Sequence, residues 1–252
     1  KDFNYIFHLA AIVGVDNVLK QPSVVLESNA KLLFNCLKFA KTQKKLKRFF
    51  FISTSEVYAG TLKKNLLKFP TKENSVICLN ELSNKRDTYM LSKIYGEALT
   101  HSANLPYSIL RPHNIFGPRM GMSHVIPEIT KKILSKNKFL NVYNPKHTRS
   151  FCFIDDAVEM IIKIMKTKKT VNRTYNIGDS RKEIKINTLV KKILKILNKK
   201  KKLILIKENY KNSPKRRVPS MSKLFSDINF KLKSSFDKNL SRTIQWYQEN
   251  EF

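Results

Sequence analysis

Short apolar runs alternate along this chain with longer stretches in which apolar residues return every three or four positions. Residues 5–9 read as a strand, 23–41 as a helix, 48–53 as a strand, 88–103 as a helix and 107–111 as a strand. Strands spaced by amphipathic helices predict a parallel sheet with crossover connections, an α/β fold. Beyond Pro118 the pattern predicts a helix over 126–135, short strands at 140–143 and 149–153, and a helix over 155–166. A strand near 175–178, a helix over 189–198, a strand at 203–207, an Arg-rich loop at 213–220 and a terminal helix through Trp246 follow. Residues 61–86 form a long connection with Pro70 and several Asn and Ser, a length that marks a functional or disordered loop.

The division that follows is a doubly wound, Rossmann-like dinucleotide-binding domain over 1–118 and a smaller C-terminal α/β lobe over 119–252 that grips a substrate. Segments near 150–178 are expected to return to the first sheet. The first strand runs into Ala10, Ala11 and Gly14, small residues of the kind that let backbone close on a ligand inside such a sheet. With no initiator Met before it, the chain is expected to begin inside the fold, its first strands and Gly-rich turn lying upstream; as it stands it is expected to hold a dinucleotide poorly.

The formal charge is +30, from 49 Lys and Arg against 19 Asp and Glu, which taken alone suggests a polyanion partner. The lysines are spread over the whole chain and fall mostly on polar helix faces and ends, so solvated surface is the better reading and nucleic acid is not expected. No segment reaches the length of a membrane helix. Cys36, Cys78 and Cys152 are scattered, without metal or disulfide spacing, which suits a reducing cytoplasm and predicts no metal site.

Candidate chemistry gathers where strands end. Phe49, Phe50, Phe51 and Ile52 lead directly into Ser53, Thr54, Ser55 and Glu56, and open parallel sheets bind ligands at the carboxyl ends of their strands. Leu110 and Arg111 lead into His113 and Asn114, with Gly117 and Pro118 fixing the exit. Tyr89 and Lys93 lie four residues apart, on one helix face. A phenol with a reference pKa of about 10 needs roughly 4 kcal/mol of help to ionise near neutrality, which a cation about 4 Å away supplies at an effective dielectric of about 20. Spacing alone is weak evidence, because Tyr107 and Arg111 repeat it by chance in so basic a chain.

These motifs, in this order, resemble the extended short-chain dehydrogenase/reductase family and within it the nucleotide-sugar epimerases, dehydratases and decarboxylases. The residues that carry the resemblance are His8 to Ala11, Ser53 to Tyr58, Tyr89 to Lys93, Arg111 to Gly121, Thr148 to Phe151 with Asp155 and Asp156, Tyr175 to Gly178, and Arg216 to Pro219. The resemblance implies NAD as cofactor, a nucleotide-diphosphate sugar as substrate and transient oxidation at the sugar's C4. It implies Tyr89 as base, Lys93 as the group that tunes it and holds the nicotinamide ribose, Thr54 as proton relay and Glu56 as a further catalytic carboxylate. Ala10, Ala11 and Ser53 would line the cofactor with Tyr89 and Lys93; Ser55 and Asn114 would meet the substrate, and Arg149 and Arg217 its diphosphate, with Arg216 able to substitute for its neighbour. A homodimer is implied through the helices near 23–41 and 88–103. Residues 111–128 look most like a UDP-sugar 4-epimerase, whereas Glu56 beside Thr54 and Ser55 looks like UDP-glucuronate decarboxylases and 4,6-dehydratases. A catalytically inactive nucleotide-binding fragment is the alternative from another class.

Overall fold

A computed structural model describes residues 2–206 and 215–252. Lys207, at the end of the strand expected over 203–207, and residues 213–214 of the expected Arg-rich loop lie outside the described residues. In chain order the elements are β1 (Tyr5–His8), α1 (Val15–Lys20), α2 (Pro22–Lys41), β2 (Arg48–Ile52), a 3₁₀ turn (Ser55–Tyr58), α3 (Ala59–Lys63), α4 (Asp87–His101) and β3 (Tyr107–Pro112). There follow β4 (Ile115–Phe116), α5 (Val125–Leu134), β5 (Phe139–Tyr143), β6 (Thr148–Ser150), β7 (Cys152–Phe153), α6 (Ile154–Lys166) and β8 (Arg173–Ile177). The chain closes with β9 (Glu183–Lys185), α7 (Ile186–Ile196), β10 (Lys202–Ile206), β11 (Arg216–Arg217), α8 (Ser222–Ile228) and α9 (Phe236–Asn250).

The chain divides into two compact units. Unit one comprises residues 1–112, 160–177 and 220–230; unit two comprises 113–159, 178–219 and 231–252. The first long segment thus stops at Pro112, short of the expected boundary at 118, and the short helix α8 belongs with the first unit.

Unit one is built on a four-stranded sheet in the order β1-β2-β3-β8, every pair parallel. β2 is central and carries consecutive fully buried phenylalanines, Phe49 and Phe50, as a strand covered on both faces must. Phe49, Phe51 and Ile109 pack with Leu33, Leu37 and Ala40 of α2 and with Ala103. Arg48 is buried without a carboxylate; its guanidinium donates to the carbonyls of Ile164 (2.7 Å) and Thr167 (3.1 Å) and to the Thr170 hydroxyl (2.7 Å), satisfying carbonyls at the end of α6.

The connection over 61–86 is anchored at several points. A side chain at Gly60 would place its Cβ 1.8 Å from the Cys78 carbonyl oxygen, so only glycine permits that approach. Beside it the Thr61 hydroxyl donates to the Val76 carbonyl (2.6 Å) and accepts from the Cys78 N–H (3.1 Å). Further along, the Asn176 amide donates to the Thr71 carbonyl at 2.9 Å.

In unit two, β5 pairs with β10, β4 with β7, and β6 lies between β11 and β9. Its core joins Phe116, Phe151 and Phe153 to Ile126 and Ile133 of α5, Leu189 and Ile193 of α7, and Leu240 and Ile244 of α9. The strand expected over 149–153 is two short strands, β6 and β7, with different partners.

Candidate active site

Parallel pairing brings His8, Ile52, Pro112 and Ile177 to one edge of the sheet of unit one, the carboxyl edge. At the end of β2, Thr54 caps the 3₁₀ turn, its hydroxyl accepting the Glu56 N–H at 3.2 Å. That turn is why Glu56 is held close to Thr54.

Opposite, α4 presents Tyr89, Lys93 and Glu97 at successive four-residue intervals. It can approach β2 closely because position 96 is glycine: a Cβ there would stand 2.4 Å from the Phe51 ring. The Lys93 ammonium is buried (4% exposed), donates to the Ile52 carbonyl at 2.7 Å and lies 5.0 Å from the Phe51 ring centroid and 6.0 Å from that of Tyr89. The Thr54 side chain lies near enough to the Tyr89 phenol to lower its pKa, and the charge of Glu56 raises it. Tyr89, Lys93, Thr54 and Glu56 are therefore brought together.

Their electrostatics differ from expectation in one respect. Burial, the largest cause, holds the Tyr89 phenol above its ordinary pKa, with Glu56 pushing the same way, and Thr54 only partly offsets this. Burial also pushes Lys93 down to about 8, while Glu97 pulls it back up. His8, buried at the end of β1, is pushed down to about 4 by burial and by Lys93, so it stays neutral at physiological pH.

The remaining candidates are placed as follows. Ala10 is exposed and Ala11 half-buried on the irregular segment after β1. That segment is fixed by Asn29 of α2, whose amide accepts the Ile12 N–H (2.7 Å) and donates to the Ile12 carbonyl (3.2 Å) and the Ser92 hydroxyl (3.2 Å). Gly14 ends it with φ 99°, a conformation suited to glycine. Ser53 is buried, and its hydroxyl donates to Glu97 Oε1 at 2.5 Å. Ser55 is half-buried in the 3₁₀ turn.

Unit two carries the other residues. Asn114, at φ 43°, donates its side-chain amide to the Ser150 carbonyl at 3.0 Å. Arg149 on β6 and Arg217 on β11 are direct partners in a parallel pair, so two guanidinium side chains start from adjacent backbone positions. Arg149 also helps hold down the pKa of neighbouring His147, after burial. Arg216, expected to be able to substitute for Arg217, has its guanidinium on the Glu183 carboxylate, with Nε at 2.9 Å from Oε2. Alternation along a strand sends neighbours to opposite faces.

The donors suit a dinucleotide. An ammonium has three N–H donors, and among the described residues Lys93 uses one hydrogen bond, to Ile52. Ala10 and Ala11 leave the backbone after β1 bare of bulk, and the Asn29 bonds keep it in place. Asn29 was not legible as part of the site. Its signal is a polar residue within the buried ladder Val25, Asn29, Leu33 and Leu37 of α2.

Among the described residues no helix is long and apolar enough to cross a membrane, and no cluster of His, Cys, Asp and Glu could hold a metal ion. The model of the NAD dependent epimerase/dehydratase family matches residues 1–178. A UDP-N-acetyl-alpha-D-glucosaminuronate decarboxylase of Bacillus cytotoxicus is 30% identical over 98% of this chain and 77% of its own length. A dTDP-D-glucose 4,6-dehydratase of Dictyostelium discoideum is 32% identical over 76% of this chain and 44% of its own. In fold, the chain is similar to the UDP-glucuronic acid 4-epimerase of Bacillus cereus, solved with UDP-glucuronic acid and NAD, with a TM-score of 0.83 and 24% identity over 98% of this chain and 76% of that one. The chain belongs to the NAD dependent epimerase/dehydratase family, a family of enzymes whose members similar to it act on nucleotide sugars as decarboxylase, dehydratase and epimerase.

Proposed function

We propose that this protein is an NAD-dependent nucleotide-sugar 4-epimerase that works by transient oxidation of a UDP-sugar at C4. The observation that carries the reading is the grouping of Tyr89 with the Thr54 side chain and the Lys93 ammonium, which lies 6.0 Å from the Tyr89 ring centroid. Epimerisation asks for one proton-transfer station at the C4 oxygen, used first in one direction and then in the other. NAD⁺, when bound, supplies the hydride acceptor, its reduced form the donor, and its positive charge favours the ionised phenol. The sugar's C4 hydroxyl passes its proton to Tyr89, with Thr54 as relay, and receives it back when the keto sugar has turned over. Lys93 holds the cofactor ribose with its remaining donors and opposes the burial that keeps Tyr89 protonated. Ala10, Ala11 and the backbone of Ser53 line the cofactor, the Ser53 side chain being engaged with Glu97.

Arg149 and Arg217 bind the diphosphate, and Asn114 and Ser55 are substrate-binding residues in this reading. An anion that forks across both guanidiniums gains charge-assisted hydrogen bonds from each. A cytoplasmic homodimer goes with this reading: α2 and α4 pack together and leave Leu32, Phe39 and Tyr95 exposed. Sedimentation of the purified protein tests the dimer.

Decarboxylation or 4,6-dehydration is the second reading, favoured by Glu56, whose carboxylate acts on Tyr89 and can serve as a further base. Incubation of the polypeptide that carries this chain with NAD and, separately, UDP-glucose, UDP-N-acetylglucosamine, UDP-glucuronate and GDP-mannose distinguishes them. An isobaric product with inverted C4 by proton NMR is the expected result. Released CO₂ or a 4-keto-6-deoxy sugar replaces the epimerase with the second reading, and an NAD-loaded protein that converts none of these sugars overturns both.

A further inference from the structure

Lys93 and Glu97 stand one turn apart on α4, and Glu97 is held from several directions. Arg111 clamps both its oxygens, Nε to Oε1 at 2.9 Å and Nη2 to Oε2 at 2.6 Å, while Ser53 donates to Oε1 at 2.5 Å. Ser53 directly follows Ile52, whose carbonyl accepts from Lys93 at 2.7 Å. Arg111 is locked in turn, since Nη1 donates to the Tyr58 hydroxyl at 2.6 Å and the Glu73 carbonyl at 3.0 Å. Tyr58 passes the chain on to Asn176 Oδ1 at 3.0 Å. Ser53, Lys93, Glu97 and Arg111 are all buried, so one carboxylate serves two buried cations.

We propose that Glu97 is the positioning residue of the Tyr89–Lys93 pair, acting through Ser53 and the Ile52 carbonyl to fix the Lys93 ammonium beside Tyr89. The inference rests on the roles given above to Tyr89 and Lys93. The titratable groups that act on or lie beside Lys93 are Glu97 on α4, His8 at the end of β1 and the Tyr89 ring. His8 is neutral near physiological pH and the phenol is protonated, which leaves Glu97 as the opposing charge. Removing that charge therefore has two effects: the ammonium is harder to keep, and the end of β2 that presents its carbonyl acceptor is loosened.

The test follows the Lys93 Cε resonance against pH in protein carrying ¹³C-lysine, assigned with Lys93→Arg. The unaltered protein is expected to show a midpoint of about 8. In Glu97→Gln the midpoint falls by about one pH unit or more, as expected for loss of a close opposite charge. Glu97→Asp, which keeps the charge, returns it toward the unaltered value. Because Glu97→Gln strands the Arg111 guanidinium and can fail to fold, Glu97→Gln/Arg111→Met is measured alongside and is expected to shift the same way. In the Gln variants kcat falls about tenfold near neutral pH, with KM for the nucleotide sugar little changed. A Lys93 midpoint that stays put in the Gln variant that folds overturns the proposal. If the unaltered enzyme turns over no sugar, the proposed function fails while the titration still decides the role of Glu97.

Discussion

Gly96 sets the spacing between the helix that carries Tyr89 and Lys93 and the strand that carries their partners. A methyl group at this position would lie 2.4 Å from Phe51 Cζ and 3.0 Å from both Phe51 Cε1 and Leu33 Cδ2. Non-bonded carbons rest at about 3.5–4.0 Å, so something must move by about 1 Å. Phe51 and Leu33 are each 2% exposed, and β2 is pinned between β1 and β3, so in Gly96→Ala the helix is the element that yields. Overpacking of this kind costs about 1–3 kcal/mol, and alanine regains about 1 kcal/mol of helix propensity over glycine, leaving a net loss of about 1 kcal/mol. The effect on turnover is larger. The 2.7 Å bond from Lys93 to the Ile52 carbonyl and the approach of Tyr89 to Thr54 both span the gap that opens, and a displacement of about 1 Å costs about a hundredfold in rate. Urea unfolding and steady-state kinetics on the same preparations read the two effects separately. A Gly96→Ala enzyme with kcat within about twofold of the unaltered enzyme, at any stability, refutes the idea that this contact sets the catalytic spacing.

Other substitutions probe the remaining parts. Lys93 titrates near pH 8 in the fold against an ordinary value of 10.5. Its buried charge therefore burdens the folded state below pH 8, and the burden lifts as pH rises toward 10.5, where the unfolded chain alone still holds the proton. Lys93→Met is expected to abolish turnover yet stabilise the protein at pH 7 by on the order of 3 kcal/mol; urea unfolding at pH 7 and 10 should show that gain shrinking, and a gap independent of pH would contradict it. Asn29→Leu leaves the Ile12 N–H and carbonyl without their partner and is expected to cost about 1–3 kcal/mol; NADH fluorescence titration should show weaker cofactor binding alongside, and unchanged affinity would separate the 10–13 segment from the cofactor site. Arg217→Ala is expected to weaken UDP binding by about tenfold or more in calorimetry, whereas Arg216→Ala, which loses the Glu183 contact, is expected to leave it unchanged; equal losses would refute the division of roles.

The long elements of the first sheet were legible because their pattern is strong. β2 declares itself by Phe49, Phe50 and Phe51, and α2 by apolar residues four apart; both appear within a residue or two of where the pattern puts them. The grouping of Tyr89, Lys93 and Thr54 was legible for a related reason, since a strand end and a helix face are local features. What escaped is short or non-local. α1, α3, β4, β9 and β11 are too brief to show a period, and Asn29 is a polar position within the apolar ladder of α2 whose partner, Ile12, lies 17 residues away. Ser53 looked like a ligand-facing hydroxyl because nothing nearby in sequence discloses Glu97, 44 positions on. The sign of the Tyr89 shift was missed because helix spacing reveals a neighbouring cation but not how deeply the phenol is buried.

Unit one is assembled from three stretches of the chain, 1–112, 160–177 and 220–230, with unit two taking up the two intervals and the residues after 230. During synthesis β8 emerges after α5 and α6 have been made, and α8 later still, so the parallel sheet cannot close until most of the polypeptide has left the ribosome. A frameshift or stop codon anywhere before residue 230 therefore removes part of the unit that bears Tyr89 and Lys93, although both lie in the first long stretch. Limited proteolysis will accordingly not release that unit as one contiguous fragment, and isolating it takes a redesigned chain in which linkers join the three stretches in place of residues 113–159 and 178–219.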